Sequence, residues 1–353
     1  MLTKTSQLLV SLMLAPLTGF AQVHPVKSDS SYYERYYDKL IVTPYIGNKN
    51  TAYTLKTSTG NRLRYYNNSP AFVGLRVGYD FLSLSATVGA GSFDPTYDKA
   101  KGKSKVLDLQ TTFLTPRLII DLYFNLGKGV FLHADDAAAF TPQRYLRPDF
   151  KTKLIGIGTQ YVFNGDKFSA RPAFKFDTWQ KKSAGSLTAG FDFYYGTAKG
   201  DSALVPSPLM KNDEKDDIRR SDFFWLGPNV GYGYSLVLNK HFFATAAVSV
   251  AAGASYNKET DIAGHTQIHW RLTPSMDARG GVGYNTENWE LSFGYVTNRV
   301  FIKGASGDIR YQANNSDFAL AYTKRLHTGK RIPQAVGWLG NIIEKAGLGF
   351  LIK

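Results

Sequence analysis

The chain has 353 residues, a formal charge of +14 and no cysteine. Without cysteine there is no disulfide framework, no thiolate metal site and no lipid attachment at a processed N-terminus. A mean hydropathy of −0.24 argues against a bundle of membrane helices.

Met1 and Lys4 open a short positive region, and Leu8 to Phe20 is apolar. Gly19 and Ala21 place small residues where a signal peptidase inspects the chain, so cleavage is expected after Ala21. The apolar stretch is shorter than the roughly 20 residues a spanning helix needs. A signal peptide over 1–21 is therefore expected, with a polar, extended periplasmic segment over 22–37. Export makes nucleic acid an unsuitable partner for the basic charge. Outer-membrane lipid, including lipopolysaccharide, and envelope proteins suit it better, while many of the cations simply solvate loops and lumen.

From residue 38 the chain breaks into segments of period two, the mark of strands with unlike faces. Val73, Leu75, Val77 and Tyr79 oppose Gly74, Arg76, Gly78 and Asp80. Leu84, Ala86 and Val88 oppose Ser83, Ser85 and Thr87. Leu118, Ile120, Leu122 and Phe124 oppose Arg117, Asp121 and Asn125. Similar patterns recur over 187–195 and 230–239. The longest runs from Ile268 to Tyr284, where His269, Arg271, Ser275, Asp277 and Arg279 share one parity and Trp270, Leu272 and Met276 the other.

A charge facing hydrocarbon near the bilayer midplane costs about 2–4 kcal/mol, and this parity lets every charge avoid it. Tyr79, Tyr195, Tyr284, Trp289, Tyr295 and Tyr322 fall near strand ends, as an interfacial girdle requires and a soluble sandwich does not. The expected fold is an all-β, transmembrane, antiparallel up-and-down barrel over 38–326.

Candidate strands are 38–48, 70–80, 82–92, 105–126, 129–134, 152–164, 167–177, 184–198, 222–238, 241–256, 264–284, 287–302 and 309–326. Bacterial single-chain barrels use even numbers, so about twelve are expected, within ten to fourteen. Short turns are read at 127–129, 164–167, 239–240 and 285–288, and long connections at 93–104, 135–151, 199–222 and 257–263. In the tail, 327–353, Val336, Leu339, Ile342 and Ile343 recur at helical spacing after Pro333, predicting a short amphipathic helix. A last strand over 347–353 is the competing reading.

Several stretches resemble an uncharacterised family of outer-membrane barrels from Bacteroidota, a domain of unknown function. They are Ser31 to Leu40, Leu146-Arg147-Pro148-Asp149-Phe150, Phe168-Ser169, Gln180 to Ser186 and Asp201 to Pro206. The resemblance spans roughly Ser30 to Leu326 and implies an outer-membrane barrel without assigned catalytic residues.

Three groups carry possible chemistry. His265, His269, Ser275 and Asp277 could suggest a hydrolase, but six strand residues at about 3.3 Å each hold His269 and Ser275 roughly 20 Å apart. His133, Asp135 and Asp136, and the acidic run from Asp213 to Asp217, could bind a cation, but solvated loops explain both. No catalytic residue, metal site or cofactor is assigned. The lumen-parity charges Arg76, Asp80, Arg117, Asp121, Arg271, Asp277 and Arg279 are the principal candidates. They either pair and brace the interior or line a wet pore. The expected function is a structural or partner-binding envelope component. A narrow solute pore and a lipid- or peptide-directed hydrolase are the alternatives.

Overall fold

A computed structural model describes residues 29–345, apart from 37, 58–59, 69–70, 81, 90–101, 138–140, 142–144, 170, 172–177, 211–216, 305–308 and 330. The expected signal peptide and the competing strand over 347–353 lie outside the described residues. Fifteen strands are found among them: β1 (Tyr33–Arg35), β2 (Lys39–Lys56), β3 (Arg62–Tyr66), β4 (Phe72–Tyr79), β5 (Leu82–Gly89), β6 (Lys105–Leu114), β7 (Leu118–Leu132), β8 (Leu146–Val162), β9 (Thr178–Gln180), β10 (Ala184–Lys199), β11 (Ile218–Leu238), β12 (Phe242–Asp261), β13 (Thr266–Asn285), β14 (Trp289–Lys303) and β15 (Arg310–His327). A single turn of helix, α1 (Ala134–Ala137), follows β7, and the amphipathic helix α2 (Arg331–Lys345) follows β15. No helix among the described residues is long and apolar enough to cross a membrane.

The wall is antiparallel and closed. β7, β8 and β10 to β15 pair in succession, β15 returns to β2, and β3 bridges β2 to β7, giving a ring of ten. β3 joins β2 and β7 only at the end carrying the long connections. Towards the other end, β4 and β5 extend from β2, and β6 extends from β7. Among the described residues β5 pairs with β4 alone and β6 with β7 alone. The ten-membered ring thus falls at the lower limit of the expected count, with β4, β5 and β6 as additional strands.

The alternation places apolar side chains outward. Leu272 is 74% exposed, Leu84 69% and Trp270 61%, whereas Ser275, Asp277 and Arg279 are buried inside. Aromatic rings band both rims. At the short-turn end Trp179, His241, Tyr284, Trp289 and Tyr322 stack in sequence, with centroids 5.2–6.2 Å apart. At the other end Tyr256 packs on Trp270 at 5.2 Å. Between Trp270 and Tyr284 the chain runs about 46 Å of strand, or about 35 Å along the axis at a tilt of about 40°. That spans a hydrocarbon core of about 30 Å with rings left at both surfaces.

Two local departures follow from backbone chemistry. The expected strand 105–126 is a hairpin, turned at Thr115 to Arg117 around Pro116, which has no N–H to give a ladder. The expected turn at 127–129 is instead a bulge inside β7, where Gly129 takes φ +81° and the pairing with β8 shifts register. Of the expected strand 167–177, residues 170 and 172–177 lie outside the described residues; Phe168 packs in a buried cluster with Ile119 and Val162, and β9 beyond the segment pairs with β1. Asn239 and Lys240, both at positive φ, make the tight turn the sequence implies, in the hairpin geometry that matches strand twist.

The outward apolar belt yields a test. Val250 lies midway between the rims, outward and 52% exposed. Val250→Arg is expected to cost about 2–4 kcal/mol of stability in lipid vesicles, against about 0–1 for Thr266→Arg at the outer rim. Urea titration of the vesicle-inserted protein measures both.

Candidate functional site

The interior is filled in layers. Nearest the long connections, Tyr53, Tyr65, Phe150, Leu204, Trp225 and Tyr311 form an apolar core inside the ring. Below it lies a polar layer. Arg279 on β13 reaches across the barrel to Asp121 on β7, with Nη2 donating to Oδ2 at 2.6 Å and both side chains buried. Thr112 donates to the other Asp121 oxygen at 2.6 Å. Asn298 donates to Asp277 at 2.7 Å and Asn229 to Asp192 at 2.6 Å. Two cavities bordering this interior hold about 10 and 20 Å³, no more than a water molecule's space.

Each mouth carries a clasp built from distant chain segments. At the outer mouth, the connection after β10 folds back and buries Ala203, Leu204 and Val205. Tyr65 donates its hydroxyl to the Leu204 carbonyl at 2.6 Å, and Arg147 donates to the Ala203 carbonyl at 2.7 Å. Arg147 is held by Asp149 through two bonds of 2.9 and 2.8 Å and lies over the Phe150 ring. Asp149 also accepts from the Asp201 backbone N–H at 2.9 Å.

At the inner mouth, β1 pairs with β9, Lys181 meets Glu34 at 2.6 Å, and the Tyr33 hydroxyl donates to the Gly165 carbonyl at 2.8 Å. Phe168 enters the barrel beside Gly233, where a Cβ would lie 2.7 Å from its ring. Above this clasp Arg325 and Glu290 pair at 2.9 Å with no solvent exposure, and Tyr36 covers the guanidinium at 4.6 Å. Of the expected segment 22–37, residues 22–28 and 37 lie outside the described residues, and residues 29–36 pack into this clasp, where Tyr33 and Tyr36 bury their rings.

The sequence-derived charges separate into distinct places. Asp121, Asp277 and Arg279 meet in the polar layer. Arg76 lies on the inner side of β4 against the Tyr45 ring at 5.4 Å. Asp80 and Arg117 belong to turns at the short-turn end. Asp80 takes φ +54°; burial pushes its carboxyl up, and Arg35 and Arg171 pull it back. Arg117 donates to the Tyr161 hydroxyl at 2.7 Å. Arg271 is exposed at the outer rim, where the inward face of β13 has risen beyond the packed core.

His265 pairs with Asp261 at 2.9 Å in an exposed turn, while Ser275 is buried with no hydrogen-bond partner for its hydroxyl among the described residues. Asp136 is taken by Arg64 at 2.7 Å, leaving His133 with Asp135 at 3.2 Å. No group of three potential metal ligands converges among the described residues. Of the acidic run, residues 213–216 lie outside the described residues.

Asp192, Glu290 and Arg325 have the same inward parity as the recognised charges but carry no further signal. Arg147 and Asp149 were visible only as part of a resembling motif. The Arg325–Glu290 pair provides a test of interior energetics. Arg325→Met leaves Glu290 buried without its cation, an expected loss of about 3–5 kcal/mol. Adding Glu290→Gln is expected to restore part of that loss in urea unfolding.

Solved structures similar to the chain share little of its sequence. Outer membrane protease OmpT from Escherichia coli is 12% identical over 83% of this chain and 98% of its own, with a TM-score of 0.38. The toluene transporter TodX from P. putida is 11% identical over 83% of this chain and 91% of its own, with a TM-score of 0.29. Neisserial surface protein A is 10% identical over 82% of this chain and 97% of its own, with a TM-score of 0.18. No curated protein matches the chain. The family described as Domain of unknown function (DUF4421) matches residues 27–322, and the chain belongs to that family.

Proposed function

We propose that the protein is a sealed outer-membrane barrel of a Gram-negative, Bacteroidota-type envelope, exported by a cleaved signal peptide and acting as a structural or partner-binding component. The observation that carries this reading is the double closure: Leu204 and Tyr65 plug one mouth, and the β1–β9 pair with Arg325 and Glu290 plugs the other. The Arg279–Asp121 and Arg325–Glu290 ion pairs between the mouths support bracing of the wall from within.

A pore would need an axial path through both clasps. A hydrolase would need a base beside a nucleophile, whereas His265 is engaged with Asp261 at the rim and Ser275 lies in the packed interior. The closed ladder and apolar belt suit a lipid bilayer, and the short turns suit the periplasmic side.

Planar-bilayer recording tests the sealed interior. The purified protein is expected to insert without ohmic single-channel steps, and steady steps would overturn the reading. Cross-linking in intact cells is expected to recover a reproducible envelope partner under denaturing purification. Recovery of monomer alone would sink the partner-binding half.

A further inference from the structure

The outer surface of the wall carries a feature that neither the apolar belt nor the interior explains. Lys105, Lys128, Lys151, Lys199 and Arg220 are direct cross-strand partners on β6, β7, β8, β10 and β11. Five cations therefore stand in one unbroken row, neighbours about 5 Å apart at the backbone. Their parity is the outward one, shared with Leu107, Leu126 and Phe191. Lys153 adds a sixth cation one outward position below, over the Tyr195 ring at 5.3 Å.

Like charges placed directly opposite destabilise a sheet. Arg220 has a local counter-ion, Asp222, at 2.6 Å. None of the five lysines forms an ion pair among the described residues. The row borders an open groove of about 610 Å³. It lies at the long-connection end: Lys105 is the first residue of β6 and Lys199 the last of β10.

Four residues along each strand towards the short turns, the corresponding row is Leu109, Phe124, Ile155, Tyr195 and Phe224. The face therefore changes from cationic to apolar and aromatic over two outward positions. A free anion would use only the first row. An amphiphile with a multiply charged head and acyl chains would use both.

We infer that this face binds a phosphorylated glycolipid of the outer leaflet, its phosphates on the Lys105–Arg220 row and its chains along the apolar rows below. The inference rests on the outer-membrane reading, with the long connections outermost. Five lysines with no carboxylate partner match a head carrying more than one phosphate better than a singly charged phospholipid.

Native mass spectrometry of the full-length protein in non-ionic detergent provides the test, with diphosphoryl lipid A, phosphatidylglycerol and inorganic phosphate as probes. The wild type is expected to retain lipid A at least tenfold more tightly than phosphatidylglycerol. Lys128→Gln with Lys151→Gln is expected to lower lipid A retention at least tenfold. Lys240→Gln with Lys324→Gln, at the opposite rim, is expected to leave it unchanged. Equal retention by the wild type and the row variant overturns the proposal, as does inorganic phosphate competing as well as lipid A.

Thermal unfolding gives a second readout that does not depend on the double variant folding. In lipid-free detergent Lys151→Gln is expected to melt higher than the wild type, because repulsion from Lys128 and Lys199 is relieved. Added lipid A is expected to raise the wild type more than this variant, and the reverse order in either comparison overturns the proposal. Fractionation of cells separately tests the membrane assignment: absence of the wild type from the outer membrane defeats that reading whatever the binding result.

Discussion

The ladder between β15 and β2 is the constraint on which the rest depends. Without water, each backbone N–H and C=O in a bilayer must find a partner in the protein. An open sheet would leave two raw edges in hydrocarbon at a cost of several kcal/mol per group. Joining β15 to β2 removes that penalty along this seam, and β3 completes the ring at the long-connection end, while the free edges of β5 and β6 have no ladder partner among the described residues. Once the ring is closed, alternation of side chains has a fixed meaning: one parity meets lipid and the other is committed to the interior.

That commitment creates the problem that the interior solves. Half of each strand's side chains point into a space too narrow to stay wet throughout, and several are charged. Arg279 finds Asp121 across the barrel, and Arg325 finds Glu290 at the inner mouth. Elsewhere the space is filled with rings, led by Trp225, Tyr194 and Tyr311. The clasps extend the same packing to the mouths. The chain segments by which the sequence resembled its family meet there: Leu146–Phe150 with Asp201–Pro206 outside, and Ser31–Leu40 with Gln180–Ser186 inside. A resemblance carried by residue order thus corresponds to contacts that close the barrel.

The wall was legible in the sequence because period two is a local property. The stretch from Ile268 to Tyr284 shows its inward and outward sets without reference to any neighbour, and its partners in β12 and β14 follow in register. The same local reading failed where geometry is set at a distance. β3 is only five residues long, and its strand identity comes from filling the space between β2 and β7. Asp80 and Arg117 had the right parity but sit past the strand ends, where parity no longer specifies a side. Glu290 and Arg325 were unremarkable as single residues, because their significance is a pairing across 35 positions that sequence spacing does not encode.

The first wall strand begins, and the last one ends, at the rim that bears the short turns. The chain thus leaves the barrel on the side where it entered, with α2 attached three residues beyond β15. A tension that draws the two termini apart therefore meets the closing ladder at its Lys39–His327 end and opens it one pair after another. The seam resists such a load only as strongly as its last pairs, which places the mechanical burden on the packing around them at that rim.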